Sequence, residues 1–263
     1  MHPVLFRFFI PVYTYGACVA LAFLIGIKIT VDRGEKTGVD NNFIMNLSLV
    51  ILTGSVLGAR LLYVVEQWGY FRLHLNELWM VHRGGLSFFG GLIMALIASA
   101  IFVRLSGIPF LATADIFMPA LALGQAIGRL GCYFNGCCYG IVNEGALGVM
   151  FPEGSPVFAD HVARGWIPSS WFYSLPVVPV QLISSFADLM LFCILCVVDD
   201  RKKMVGTTFF MYLAGYGLIR FLIEYVRDDS PLLAMSLTLP QCIGLGGILV
   251  GLGGLLFIWH RPS

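Results

Sequence analysis

The chain has 263 residues, 58% hydrophobic and 12% charged, with a mean hydropathy of +0.85. Soluble domains carry about a quarter charged residues, so this composition excludes a water-soluble globule and points to lipid. Sixteen basic against fifteen acidic residues leave a net charge of +1, and no nucleic-acid partner is expected.

Seven apolar runs are long enough for the ~30 Å hydrocarbon core of a bilayer. In chain order they cover 11–31, 43–65, 86–105, 113–134, 178–198, 205–226 and 237–259. The fold class expected is therefore all-α, a polytopic membrane protein of about seven transmembrane helices. Residues 1–263 form one integral-membrane domain, since there is no internal repeat, low-complexity tract or linker. Met-His-Pro at the start lacks a basic stretch followed by a cleavage site, so the first run reads as a retained helix.

The fourth run is the least regular, because Arg129 and Gly131 interrupt it. It is expected to be broken or re-entrant, which lipid tolerates only where protein or water covers the backbone. Between the fourth and fifth runs, residues 141–177 make the largest piece outside the membrane. They hold Trp166, Trp171, Phe172, Tyr173 and four prolines, a composition suited to the headgroup layer.

Orientation follows from the basic residues in the loops. With the N-terminus out, the inner loops hold Lys28, Arg33, Lys36, Arg104, Arg201, Lys202, Lys203 and Arg261, against Arg7, Arg72, Arg83, Arg164 and Arg227 outside. All four lysines fall inside, which favours N-out and C-in with 141–177 as an extracytoplasmic loop.

Arg60, Arg129 and Arg220 lie in or beside these spans. A cation at the bilayer centre costs about 2.5–3.5 kcal/mol on insertion scales, so each is a functional candidate. Glu224 follows Arg220 by four residues and Arg227 follows Glu224 by three, giving GLIRFLIEYVR a charged stripe on one helix face. Such a stripe is also consistent with a purely structural set of buried pairs. Arg129 has no acid within four residues, and its planar fork matches a phosphate, the anion most available at that depth. Gly84, Gly85, Gly90, Gly91, Gly128, Gly131, Gly136 and Gly140 allow close approach of backbone to a ligand or to a neighbouring helix.

Arg129 stands within GRLGCYFNGCCYG, residues 128–140, which brings three thiols to the end of an apolar run. Cys132, Cys137 and Cys138 read first as small, weakly polar fillers. Alternatively, Arg129 lowers the pKa of one thiol and makes it a base or nucleophile. The C-x4-C-C spacing lacks the usual C-x2-C pair and no histidine lies close, so neither a metal nor another cofactor is expected. Cys18, Cys193, Cys196 and Cys242 sit in apolar runs and read as packing residues.

Taken together, HPVLFRF, TYG, GSVLGARLLYV, HRGGLSFFGGLI, GRLGCYFNGC, GLIRFLIEYVR and the SLTLPQ stretch ending at Gln241 resemble, in order and spacing, the prolipoprotein diacylglyceryl transferase family. The resemblance covers nearly the whole chain. It implies a seven-helix enzyme of the bacterial inner, or plasma, membrane that moves the diacylglyceryl group of phosphatidylglycerol to the lipobox cysteine of a prolipoprotein. A thioether forms and glycerol phosphate leaves. The partners implied are phosphatidylglycerol, the signal-peptide segment carrying the lipobox, and the bilayer.

By motif match, Arg129 and Arg220 take the place of the family's phosphate-binding arginines. Tyr15, Asn135 and Gly140 fall on positions around the family's lipid site, and Glu224 and Arg60 on positions that hold the arginine geometry. The chain departs from the family pattern in three places. Phe89 stands where a histidine is common, and His82, about two helical turns earlier, is no substitute. Cys132 and Cys137 replace the usual asparagine and acid of the signature, and VPVQLIS keeps only Pro179, Gln181 and Leu182 of its counterpart. The catalytic base and the acceptor are thereby left open. A relative with another acceptor or lipid donor, a non-catalytic lipid-binding protein, and a membrane thiol oxidoreductase built on Cys137 and Cys138 stand as alternatives.

Overall fold

The computed structural model describes residues 4–7, 11–80, 84–228, 232–234 and 237–260. His2, His82, Arg83, Arg261 and Ser236, the first residue of the SLTLPQ stretch, lie outside the described residues. A short ladder pairs β1 (Val4–Arg7) antiparallel to β2 (Pro11–Tyr13), and α1 (Thr14–Thr37) follows directly. Next come α2 (Asn41–Glu66), a one-turn α3 (Trp68–Phe71), α4 (Phe88–Ser106) and α5 (Phe110–Asn135). The segment after α5 contains α6 (Pro156–Ala163), and α7 (Val180–Arg201) and α8 (Thr207–Ile223) come after it. A 3-10 turn at Glu224–Val226 extends α8, β3 (Leu232–Ala234) pairs antiparallel with β4 (Leu237–Thr238), and α9 (Leu239–Trp259) closes the described chain.

Seven of these helices are long and apolar enough to span a bilayer, and each overlaps one expected run. The fourth differs from expectation. α5 is one continuous helix through Gly124, Gly128, Arg129 and Gly131, with Pro119 also inside it. A helical glycine costs only about 1 kcal/mol relative to alanine, and the alanines of this helix keep its ladder intact, so glycine and arginine do not break it.

The described chain forms two compact units. In the unit from Thr30 to Thr113, α2 packs along α4 where Gly58 meets Gly90. A Cβ on either residue would strike the other's carbonyl, so backbones touch without intervening side chains. Phe43 and Phe102 stack in the same unit at 5.6 Å between ring centroids.

The other unit comprises residues 1–29 and 114–263. There α8 meets α9 at Gly217 and Gly244 by the same backbone approach. Asp115, 1% exposed, caps α8 from α5: its carboxylate accepts N–H bonds from Gly206 at 2.7 Å and Phe209 at 2.8 Å, and pairs with Lys202 at 2.7 Å. A carboxylate at a helix N-terminus satisfies orphan donors and complements the helix dipole, which fixes where α8 begins.

Residues 141–177 fold over a small apolar core of Tyr139, Phe151, Val157 and Val177. Ser155 caps α6, its hydroxyl accepting from the Phe158 N–H at 3.3 Å, and Pro156 opens the helix. His161, which sequence places merely in a loop, is fully buried here against Tyr139 and Trp166. Cys193 and Cys242 are exposed rather than packed inside, since the outer face of a bilayer-spanning helix is as apolar as its interior and hydropathy alone does not separate the two.

Candidate active site

α5 carries Arg129 in its penultimate turn and Cys132 in its last. The helix stops at Gly136, whose φ of +73° is the left-handed conformation that terminates helices. The N–H groups of Gly136 and Cys137 both bond the Cys132 carbonyl, at 2.9 and 3.2 Å, which satisfies an end the helix would otherwise leave bare.

Cys138 follows at φ 58°, the sole non-glycine residue of positive φ among the described residues. That conformation is unfavourable for a side chain with a Cβ and persists where the surroundings impose it. Its result is that the sulfurs of Cys132, Cys137 and Cys138 all lie within 4.8 Å of one another. All seven cysteines are free thiols.

A neighbour holds this turn. Gln181, buried in the first turn of α7, donates from Nε2 to the Cys137 carbonyl at 2.8 Å. Asn135 lies within electrostatic reach of the Cys137 thiol. Hydrogen bonds from the Cys132 and Cys137 thiols, aided by the charges of Arg227 and Arg129, pull the Cys138 thiol below its ordinary value against the opposing effect of burial.

α8 is fixed beside α5 by the Tyr212 hydroxyl, which donates to Gln125 Oε1 at 3.0 Å. The electrostatic neighbours of Arg129 are consequently Tyr216 on α8, Cys138, Cys132 and Asp188 on α7. Tyr15, 46% exposed at the start of α1, lies within electrostatic reach of the three thiols and of Arg129. A Cβ on Gly131 would stand 3.2 Å from the Tyr15 ring, so the glycine lets α1 and α5 come together there.

The charged stripe is present. Glu224, 4% exposed, ion-pairs with Arg220 at 3.2 Å and approaches Arg227 at 3.9 Å, while its other oxygen accepts from the Thr238 hydroxyl at 3.0 Å. Thr238 in turn caps α9 in a reciprocal box with Gln241. Both expected clamp arginines, Arg129 and Arg220, thus belong to one unit together with Tyr15, Asn135, Glu224 and the thiols.

Two further expected site residues make contacts with the backbone. Gly140 is a crossing of three backbone segments: its N–H bonds the Val178 carbonyl at 3.1 Å, and a Cβ would lie 2.6 Å from the Val226 carbonyl. Arg60 has its guanidinium engaged by four backbone carbonyls, of Glu77, Leu78, Gly84 and Gly85, at 2.5–3.0 Å, and rests over the Tyr63 and Phe71 rings. It ties down the connection between α3 and α4. Phe89 is half exposed in the first turn of α4, edge-on to Phe88.

Asp188 escapes a motif-based reading. It is 1% exposed, its Oδ1 has no hydrogen-bond partner among the described residues, and it stands within electrostatic reach of Arg129 and Arg220. The signal was there: a lone carboxylate amid an apolar run, which marks function by the same rule that marks the arginines.

The family model of the prolipoprotein diacylglyceryl transferases matches residues 3–259. The chain belongs to this family. A phosphatidylglycerol–prolipoprotein diacylglyceryl transferase of Nostoc sp. is 32% identical over 253 residues, covering 94% of this chain and 85% of the relative. That of Finegoldia magna is 32% identical over 245 residues, covering 93% and 90%. A second such transferase of Clostridium perfringens is 28% identical over 247 residues, covering 92% and 91%. As a prolipoprotein diacylglyceryl transferase family member, the chain is a multi-pass membrane transferase, and its thiol-bearing turn is a feature of that scaffold.

Proposed function

We propose that this enzyme transfers the diacylglyceryl group of phosphatidylglycerol to the lipobox cysteine of a prolipoprotein. The observation carrying the assignment to this site is the gathering of Arg129, Arg220 and Arg227 at the ends of α5 and α8, in a family whose named members perform this reaction.

The acceptor sulfur attacks the glyceryl carbon that bears the phosphate ester. A C–S bond forms, the C–O bond breaks, and its electron pair leaves on the phosphate oxygen of glycerol phosphate. The phosphodiester monoanion becomes a monoester with added charge, so cations grip the leaving group harder as the bond breaks, which is what accelerates the step. Arg129 meets the phosphate through its planar fork. Arg220, oriented by Glu224, supplies the second cation, and Tyr15 and Asn135 line the same region. The lysine distribution supports N-out and C-in, with residues 141–177 on the outer face of a bacterial inner membrane.

The test is to incubate purified protein with phosphatidylglycerol and a lipobox peptide, following glycerol phosphate release and the peptide's mass. Both signals, abolished by Arg129→Ala, are expected. Retained lipid binding with neither signal would favour a non-catalytic lipid-binding protein.

A further inference from the structure

The turn after α5 has a property that phosphate binding does not use. Three free thiols converge within 4.8 Å of one another, held by a backbone conformation unfavourable for cysteine and by a buried glutamine. As inert packing, the cysteines would give no reason for that conformation or that convergence.

A tetrahedral zinc ion with Zn–S bonds of about 2.3 Å sets its sulfurs about 3.8 Å apart, within small adjustments of this arrangement. No fourth His, Cys, Asp or Glu joins the set among the described residues. Three protein ligands with one open position are the pattern of a catalytic rather than a structural zinc site. Charge fits as well: three thiolates around a divalent ion carry one net negative charge, and Arg129 and Arg227 stand within electrostatic reach to balance it. The Gln181 bond to the Cys137 carbonyl supplies the outer support that orients metal ligands.

We propose that Cys132, Cys137 and Cys138 bind a zinc ion whose fourth position takes the acceptor thiol of the lipobox cysteine. The proposal rests on the transferase reading above. Coordination deprotonates a thiol outright, releasing its proton to solvent, so no separate base is required where Phe89 stands. The zinc-bound sulfur then uses a lone pair on the glyceryl carbon, and the C–O pair departs on the phosphate beside Arg129. The thioether product, neutral and a weaker ligand, leaves the metal.

The test uses full-length protein, reduced and in phosphatidylglycerol nanodiscs. Zinc content is measured, and the metal is replaced by Co²⁺, whose thiolate charge-transfer and d–d bands report sulfur ligation and geometry. One zinc per chain is expected, lost in Cys132→Ser, Cys137→Ser and Cys138→Ser. The Co²⁺ d–d bands should move on adding a lipobox peptide, and stay still with its Cys→Ser counterpart. Chelator-stripped wild type should lose transfer and regain it with zinc.

Absence of metal uptake together with undiminished glycerol phosphate release would overturn the proposal and leave the transferase reading standing. So would an oxidised cysteine pair that takes up no metal after reduction. Metal uptake with bands indifferent to the peptide thiol would overturn the fourth-ligand role. A metal site that answers the thiol without any glycerol phosphate would instead uphold the site and sink the transferase reading.

Discussion

Replacing Arg129 should separate chemistry from folding. Its guanidinium forms no hydrogen bond or ion pair with the described residues, and its neighbours act on it through space from Tyr216, Cys138, Cys132 and Asp188. Arg129→Gln keeps a good helix former on α5 and removes only a through-space partner of the buried Asp188, so the expected stability loss stays below the about 3–5 kcal/mol of breaking a contacting buried pair. Loss of one preorganised charge-assisted contact to a developing anion is worth about 2.7–4 kcal/mol, or about 10²–10³ in kcat. Arg129→Lys keeps the charge without the bidentate fork and should fall between Gln and wild type. The assay pairs initial rates of glycerol phosphate release at saturating phosphatidylglycerol with thermal unfolding in the same detergent. An undiminished kcat in Arg129→Gln would refute the clamp. A fall in melting temperature as large as that of a Glu224 variant would refute the claim that Arg129 is structurally unengaged.

Glu224→Gln leaves Arg220 without its ion pair and Arg227 without its nearby carboxylate; removing one partner of a buried pair costs about 3–5 kcal/mol, so a large drop in melting temperature is expected together with lost activity. Gly140→Ala drives a Cβ against the backbone carbonyls of Val226 and Val178, which have no rotamer to escape into, and should cost at least about 1–3 kcal/mol by thermal unfolding. His161 titrates below its ordinary value because burial disfavours the imidazolium, and its Nδ1 accepts the Leu175 N–H at 3.3 Å, a bond that protonation there would remove. The folded-state pKa being depressed, stability is fully present above the unfolded value of about 6.5 and is lost as pH falls through it toward the folded value. Protection factors across residues 141–177, taken relative to intrinsic exchange at each pH, should therefore fall on acidification, and His161→Asn should flatten that dependence; an unchanged pH profile in the variant would refute the assignment.

The spans were legible because hydropathy in a bilayer is a one-dimensional property, and each predicted run overlaps a helix. The exception is instructive. Arg129 and Gly131 suggested a break in α5 because both are unusual in lipid, but being unusual says nothing about the backbone ladder, which continues through them. The partners of Arg60 were illegible for a related reason: they are carbonyls of the connection between α3 and α4, a chain reversal that no local pattern announces. Asp188 was missed as the neighbour of Arg129 because the two lie on different helices, and sequence distance measures only contacts within one. The thiol cluster depends on the left-handed turn at Gly136 and Cys138, which C-x4-C-C spacing does not reveal, since the same spacing on a continued helix would spread the sulfurs over different faces.

In lipid, an unmet polar group is expensive, so where such groups persist is informative. The polar residues that position helices are well partnered: Asp115 has two N–H donors and a lysine, Thr238 a carboxylate and a capping amide, Ser185 the Ala126 carbonyl at 2.8 Å. Four buried side-chain atoms lack a hydrogen bond among the described residues. One, His161 Nε2, lies beneath the loop. The other three, Gln181 Oε1, Asp188 Oδ1 and Glu224 Oε2, belong to residues that respectively hold the thiol turn, lie within electrostatic reach of both clamp arginines, and pair with Arg220. Unfinished hydrogen bonding is thus concentrated where α5, α7 and α8 bring cations and thiols together, and a phosphate with a polar glycerol headgroup has the donors and acceptors to complete it.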